Sequence, residues 1–134
     1  MPVEASETMP VMTSDDVVRV RQAVRTHAVK AGFSLVDQTK IITAASEIDR
    51  NTVDYGGGGA LLIELLRENA RRGVKLTFTD QGPGIADLDR ALTDGYTTGH
   101  GLGLGLSGAK RLCNEFAVKS TPGSGTIVTL ARWR

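Results

Sequence analysis

Two glycine-rich stretches limit how this chain can fold. Residues 56–59 are four consecutive glycines, and Gly99-His100-Gly101-Leu102-Gly103-Leu104-Gly105 has glycine at every second position. Glycine loses more conformational freedom on folding than any other residue, so a helical pattern that reaches such a stretch is expected to end there. The two stretches therefore divide the chain into separate groups of elements.

Length, composition and charge favour one folded domain over residues 1–134. The chain has 134 residues, of which 40% are hydrophobic and 23% are charged, the usual range for a domain with one core. Its 16 basic and 15 acidic side chains give a net charge of +1, so no strong field draws it to nucleic acid or to an anionic membrane. We expect a protein or small-molecule partner instead.

Cysteine content and hydropathy predict a soluble cytoplasmic protein. Cys113 is the single cysteine, which excludes an intramolecular disulfide and suits a reducing compartment. The first ten residues carry acids and no apolar run, unlike a signal peptide, and no stretch approaches the roughly 18 apolar residues of a membrane span.

The first half of the chain predicts two helices after an irregular start. Residues 1–5 are expected to be a loose N-terminus, and 6–12 an edge strand because of Pro10. Ser14 is a predicted N-cap for a helix over 15–31, which Gly32 ends. A second apolar stripe from Val36 predicts a helix that stops at Tyr55.

The second half predicts strands, with helices between them. Residues 60–68 have a helix-like composition, while 74–79 alternate between apolar and polar residues as a half-buried strand does. The remaining expected elements are a turn at 71–73, a short helix at 87–92, a helix at 105–114, and strands at 116–118 and 125–130 around a turn at 122–124. Helices with an antiparallel-leaning sheet indicate a two-layer α/β sandwich.

Residues 99–105 are a candidate phosphate site. Where a loop becomes a helix, glycines let backbone N–H groups face an anion, and the helix N-terminus adds about half a positive charge. The stretch lacks the lysine and Ser/Thr of a P-loop, and no strand leads directly into it as in a dinucleotide fingerprint. On its own it is equally compatible with a helix cap.

Two further motifs carry side chains suited to a nucleotide site. Asp80, followed by Gly82 and Gly84, ends a predicted strand, where it can accept a hydrogen bond from a ligand amino group, although the segment also suits an ordinary turn. Glu47 and Asn51 share a helical face because they are four residues apart. A carboxylate and an amide oxygen so placed can hold Mg²⁺ and activate a hydroxyl, but an isolated pair more often lies on a solvated face.

The order of these motifs resembles the N, G1 and G2 boxes of the GHKL ATPases. Glu47-x-x-x-Asn51 precedes Asp80-x-Gly82-x-Gly84, then Gly101-x-Gly103-x-Gly105, then Gly125-Thr126. Within that superfamily the chain is similar, over about 14–134, to the RsbT-like switch serine/threonine kinases. The matching stretches are Ala44 to Asn51, Asp80 to Ile85, Asp94 to Thr98, and Gly105 to Leu112.

The resemblance implies a Bergerat-type sandwich, with a mixed, mostly antiparallel sheet and helices on one face. It makes 60–68 a strand and implies ATP and Mg²⁺ as cofactors. It implies Glu47 as the general base or as the residue that orients the attacking hydroxyl, Asn51 as the Mg²⁺ ligand, and Asp80 as the acceptor for the adenine amino group. The other implied nucleotide contacts are Gly82 and Gly84 in the adenine pocket, Thr126 near the adenine, and Thr97, Thr98, Gly101, Leu102, Gly103, Leu104 and Gly105 in a lid and phosphate cradle over 94–105.

The implied activity is phosphorylation of a STAS-domain antagonist protein, with a PPM-type phosphatase and a STAS-domain scaffold as further partners. One alternative is a nucleotide-regulated binding module with little activity of its own. Another is an anti-sigma factor of the related RsbW type, and a histidine-kinase catalytic fragment is a weaker third. The compact Thr97-Thr98-Gly99 lid favours the switch kinase.

Overall fold

The computed structural model describes residues 3–54, 56–82 and 106–134. The helix expected at 87–92 lies outside these residues. In chain order the described elements are β1 (Val3–Val11), α1 (Ser14–Lys30), α2 (Leu35–Asp54), β2 (Gly59–Glu68), β3 (Arg71–Asp80), α3 (Leu106–Arg111), β4 (Glu115–Thr121) and β5 (Gly125–Trp133).

Helix α1 begins one residue earlier than predicted, because Thr13 and not Ser14 is its N-cap. Thr13 is extended, and its hydroxyl accepts a hydrogen bond from the Asp16 N–H, while the Asp16 carboxylate accepts one from the Thr13 N–H at 3.1 Å. This reciprocal pair satisfies N–H groups that the first helical turn leaves unpaired. The acid three residues after Thr13 therefore decides where the helix starts.

Strand β1 corrects the expectation of a loose N-terminus at 1–5. Residues 3–5 already belong to β1, which pairs antiparallel with β2 and has Val3 opposite Leu66. As Pro10 predicts, β1 lies at the edge of the sheet. Pairing with the apolar strand β2 orders a segment whose own composition is uninformative.

The β2–β3 hairpin confirms a strand at 60–68 and corrects the position of the turn. The turn is Asn69-Ala70, and the residues expected to form it, 71–73, are the start of β3. Asn69 has φ 57°, a left-handed conformation that asparagine tolerates better than most residues do. The longer strands place Gly59 opposite Asp80 at the far end of the hairpin.

The sheet has the order β1-β2-β3-β5-β4, and its four strand pairings are all antiparallel. The structure thus confirms the two-layer α/β sandwich, although the described strands include no parallel pair of the kind a mixed sheet would have. Helices α1 and α2 cover one face, and side chains such as Ile41, Ile48, Leu61 and Phe78 are fully buried between the layers.

Trp133 lies on the opposite, open face of the sheet. Its ring covers Gly73, where an added Cβ would lie 2.7 Å from a ring carbon, and its indole N–H donates to the Glu115 carboxylate at 2.6 Å. The Arg71 guanidinium lies 5.3 Å from the ring centroid, within range of a cation–π contact. Trp133 therefore fastens β3, β4 and β5 at the end of the sheet away from Asp80.

Helix α3 is shorter than the predicted 105–114, since it ends at Arg111. One terminal nitrogen of Arg132 donates to the Leu112 carbonyl at 2.8 Å, and the other terminal nitrogen pairs with the Asp37 carboxylate at 2.6 Å. Cys113 follows, partly buried against the core, and burial raises the pKa of its thiol to about 11, as expected of an unreactive side chain. Within the described ranges, no helix has the length and apolar character needed to cross a membrane.

Candidate functional site

Asp80 is the centre of the candidate site, at the end of β3 where three strands meet. Its partners across the sheet are Gly59 at the start of β2 and Thr126 near the start of β5. The Asp80 Oδ1 atom accepts hydrogen bonds from the Gly82 N–H at 2.9 Å and from the Thr126 N–H at 3.2 Å. Two backbone donors thus hold one carboxylate oxygen, and among the described residues no hydrogen bond engages Oδ2.

Glycines surround Asp80 and bring backbone close to it. Gly125 has φ 94° and lies against the Asp80 carbonyl, so both its conformation and its contact exclude a side chain. Gly82 lies against Gly56, where an added Cβ would be 2.7 Å from the Gly56 Cα. Main chain therefore lies close to Asp80 on more than one side.

Thr126 reaches Asp80 through its backbone, while its hydroxyl contacts a neighbouring strand. The Thr126 Oγ1 lies 2.8 Å from the Oγ of Ser120, which is its partner residue on β4. Ser120 was not predicted from the sequence, because a serine in an alternating strand carries no signal of its own. The two hydroxyls form a hydrogen-bonded pair at the edge of the site.

Glu47 and Asn51 lie on α2, which packs against both α1 and α3. Both residues are partly buried, and the Glu47 carboxylate is 3.9 Å from the Arg50 guanidinium. The Asn51 carbonyl accepts a hydrogen bond from the Gly56 N–H at 3.2 Å, so the last turn of α2 runs directly into the glycines beside Asp80. The motif pair and Asp80 are thereby joined through a few residues of backbone.

Asp49, between the two motif residues, faces the interior. It is 0% exposed, and within the described part of the chain neither carboxylate oxygen has a hydrogen-bond partner. Burial raises the pKa of its carboxyl group to about 6, and the nearby Asp16 carboxylate adds to this, while Arg21 and Arg50 oppose it. The helix that carries the candidate catalytic residues thus also carries an unpaired buried acid.

Several predicted site residues lie outside the described part of the chain. They are Gly84, Thr97, Thr98, Gly101, Leu102, Gly103, Leu104 and Gly105. Conversely, sequence reasoning assigned no role to Gly56 beyond helix termination. The sequence feature that could have indicated a further role is the run of four consecutive glycines, since a helix C-terminus usually needs only one.

The fold and the site define a known class of protein. Residues 36–134 match the family model for histidine kinase-, DNA gyrase B- and HSP90-like ATPases. The fold is similar to that of the mycobacterial sensor histidine kinase MprB, with a TM-score of 0.55 and 18% identity across 96% of this chain and 97% of that one. The chain belongs to this ATPase family, whose nucleotide is ATP.

Two relatives narrow the class. The serine/threonine-protein kinase RsbT of Bacillus subtilis (strain 168) is 43% identical over 123 residues, which cover 92% of each chain. An anti-sigma F factor of Pasteuria penetrans is 29% identical over 125 residues, which cover 89% of this chain and 83% of that one. Within the ATPase family the chain is a member of the RsbT serine/threonine-protein kinase family, as the sequence resemblance predicted.

Proposed function

We propose that this chain is an ATP- and Mg²⁺-dependent protein kinase that phosphorylates a serine or threonine of a STAS-domain antagonist protein. The observation that carries the proposal is the 43% identity to the RsbT kinase over 92% of both chains. The order of the motifs Glu47-x-x-x-Asn51 and Asp80-x-Gly82-x-Gly84 along the chain supports it. The structure adds support through the hydrogen bond between the Asn51 carbonyl and Gly56, which lies beside Asp80.

The described residues fit the adenine end of ATP. The Asp80 Oδ1 atom is already engaged by two backbone N–H groups, so Oδ2 is the acceptor for an exocyclic amino group. The glycines around it let the main chain come close to Asp80, because a Cβ at Gly56 or Gly125 would overlap with Asp80 atoms. In this proposal, Gly82 and Gly84 shape the pocket and Thr126 bonds near the base.

Two other side chains, on α2, have the chemistry to serve a metal that arrives with the nucleotide. Mg²⁺ usually takes one or two protein oxygens together with phosphate oxygens and water, so Asn51 suffices as the protein ligand. Glu47, one turn earlier on α2, would orient the acceptor hydroxyl and take its proton. Bound Mg-ATP supplies the phosphoryl group and most of its charge neutralisation.

In this proposal, residues that follow Gly82 in the sequence bind the phosphates of ATP. Residues 94–104 would form a lid that includes Thr97 and Thr98, and backbone N–H groups of 101–105 would cradle the phosphates. Glycine-rich backbone before a helix suits this role because its N–H groups can converge on an anion.

The proposal places the protein in a partner-switching module in the cytoplasm. After phosphorylating its antagonist, the chain would bind and activate a PPM-type phosphatase, and a STAS-domain scaffold would hold it beforehand. The near-neutral charge of +1 suits protein partners better than nucleic acid or a membrane.

Phosphoryl transfer to the cognate STAS protein is the direct test. With Mg-ATP labelled at the γ-phosphate, the label is expected on a serine or threonine of the STAS protein, as located by mass spectrometry. Omission of Mg²⁺ should abolish the transfer. Tight ATP binding without transfer to any STAS protein encoded beside this gene would contradict the kinase proposal.

The second candidate is a nucleotide-regulated binding module or anti-sigma factor with little kinase activity. The likeness to the anti-sigma F factor favours it, since that relative is matched over 83% of its length. Capture of a sigma factor or of a phosphatase linker in an ATP-dependent manner, with no label on the STAS protein, would favour this candidate.

Replacing Asp80 by asparagine is expected to weaken ATP binding by about 10- to 100-fold. The asparagine oxygen can still accept from Gly82 and Thr126, but its NH₂ group then meets the adenine amino group donor to donor. Titration calorimetry at fixed free Mg²⁺ measures the affinity. Asp54→Asn makes the same change on the exposed end of α2 and should leave the affinity unchanged, and equal effects of the two variants would remove Asp80 from the base contact.

A further inference from the structure

Gly56 occupies a position with no room for a side chain. An added Cβ would lie 2.5 Å from the Asp80 Cγ, 2.6 Å from its Oδ2 and 2.8 Å from its Cβ. The Gly56 backbone does not itself require glycine, since its φ lies outside the left-handed region that its neighbours Gly57 and Gly58 adopt at 71° and 95°. The Asp80 carboxylate, and not the turn, is therefore what demands glycine here.

The Gly56 backbone cannot easily move away from the Asp80 carboxylate. Its N–H is bonded to the Asn51 carbonyl at 3.2 Å, and the Gly58 N–H is bonded to the Thr52 carbonyl at 2.9 Å, so the turn is tied to α2. On its other side, Gly82 packs against the Gly56 backbone. A methyl group at position 56 would therefore have to displace the carboxylate.

Displacing the carboxylate would move Oδ2, the oxygen that faces the ligand, more than it would move Oδ1. Its Oδ1 is held by the Gly82 and Thr126 N–H groups, whereas Oδ2 faces Gly56 and accepts no backbone N–H from the part of the chain that the structure describes. Hydrogen bonds weaken steeply with misalignment, so a small shift of Oδ2 is enough to lose one.

We propose that Gly56 is a positioning residue that sets the base specificity of the nucleotide site by fixing Oδ2 of Asp80. This assignment rests on the proposed function, in which Oδ2 accepts from the adenine amino group. Gly56 also joins the base contact to α2, because it lies against the Asp80 side chain and donates its N–H to the Asn51 carbonyl. A change at position 56 would then alter which base is preferred and not only how tightly a nucleotide binds.

The test compares the binding of ATP and inosine triphosphate, whose base carries a carbonyl where adenine carries the amino group. Calorimetry on the wild-type chain is expected to show a preference for ATP, and Gly56→Ala to reduce that preference by about tenfold, chiefly through weaker ATP binding. Gly57→Ala is the control, since an added Cβ there meets nothing within 4 Å. It should lower the Tm because of its positive φ and leave the preference unchanged.

Three outcomes would overturn the assignment. A folded Gly56→Ala variant with the wild-type preference would do so, and so would an equal loss of affinity for both nucleotides, which indicates general damage. A wild-type chain that bound neither nucleotide would overturn the proposed function and this assignment with it, and so is distinguishable from the first two.

A second comparison covers the case in which Gly56→Ala does not fold. Asp80→Gly removes the three side-chain atoms that an added Cβ at position 56 would meet. In that background Gly56→Ala should lower the Tm far less than it does in the wild-type chain, because the two positions are coupled. An equal loss in both backgrounds would show that Asp80 is not the reason for glycine at position 56, and the proposal would fall.

Discussion

Glu47→Gln is expected to lower the rate of phosphoryl transfer by about 10²- to 10⁴-fold, while ATP affinity changes by less than about threefold. Glutamine keeps the size of the side chain but cannot take a proton from the acceptor hydroxyl. The ion pair with Arg50 is also lost, but at 3.9 Å and half exposed it contributes about 0–1 kcal/mol at most. Single-turnover transfer to the STAS protein, with calorimetric ATP affinity alongside, separates the two effects.

Glu68→Gln is the matched control for that variant. Glu68 is an exposed acid at the opposite end of β2 from Gly59, so its replacement should leave both rate and affinity unchanged. Near wild-type transfer by Glu47→Gln would remove Glu47 as the base and leave positioning by α2 as its contribution. A parallel loss of ATP affinity would assign Glu47 to nucleotide binding instead.

Asp49→Asn is expected to stabilise the protein at pH 8 by about 1–3 kcal/mol. The folded carboxyl has a pKa of about 6 against an ordinary value of 3.8, so the unpaired charge costs about 3 kcal/mol above pH 6. Asparagine removes the charge, although its amide still lacks partners in this interior and offsets part of the gain. Urea denaturation of the nucleotide-free protein measures the free energy of unfolding.

The raised pKa of Asp49 also predicts how the free energy of unfolding changes with pH. Because the folded state binds the Asp49 proton more tightly than the unfolded state, stability from this group is present at low pH and is lost as the pH rises through 6. Between pH 8 and pH 5 it should add about 1.4 kcal/mol to the wild-type free energy of unfolding, and Asp49→Asn should lack that increment. Asp54→Asn, with the same charge change in solvent, should retain it; a retained increment in Asp49→Asn would contradict the burial argument.

Much of the fold was predictable because apolar periodicity and helix-terminating glycines are properties of the local sequence. The stripe from Val36 and the glycines at 56–59 bounded α2 to within a residue at each end. The strand at Gly59–Glu68 was predictable only from the family resemblance, since its leucines and glutamates favour a helix. There the long-range pairing with β1 and β3 overrides local propensity, and no local pattern reports such pairing.

The candidate site was predictable as a set of residues but not as a geometry. Asp80 and Thr126 are 46 positions apart, and the antiparallel register of β3 with β5 brings them together. The roles of Gly56 and Ser120 could not be read from the sequence. A glycine required for space and a glycine required for conformation look alike there, and the partner of a strand hydroxyl depends on register.

The position of Trp133 has a practical consequence for measurements on this chain. It is the only tryptophan, it is 9% exposed, and it lies opposite Gly73, seven residues along β3 from Asp80. At about 3.3 Å per residue that separation is about 23 Å, so a nucleotide at Asp80 does not touch the indole. Its fluorescence therefore reports loss of the sheet and not occupancy of the site. Tryptophan fluorescence can thus follow the unfolding of each variant, while calorimetry measures nucleotide binding independently.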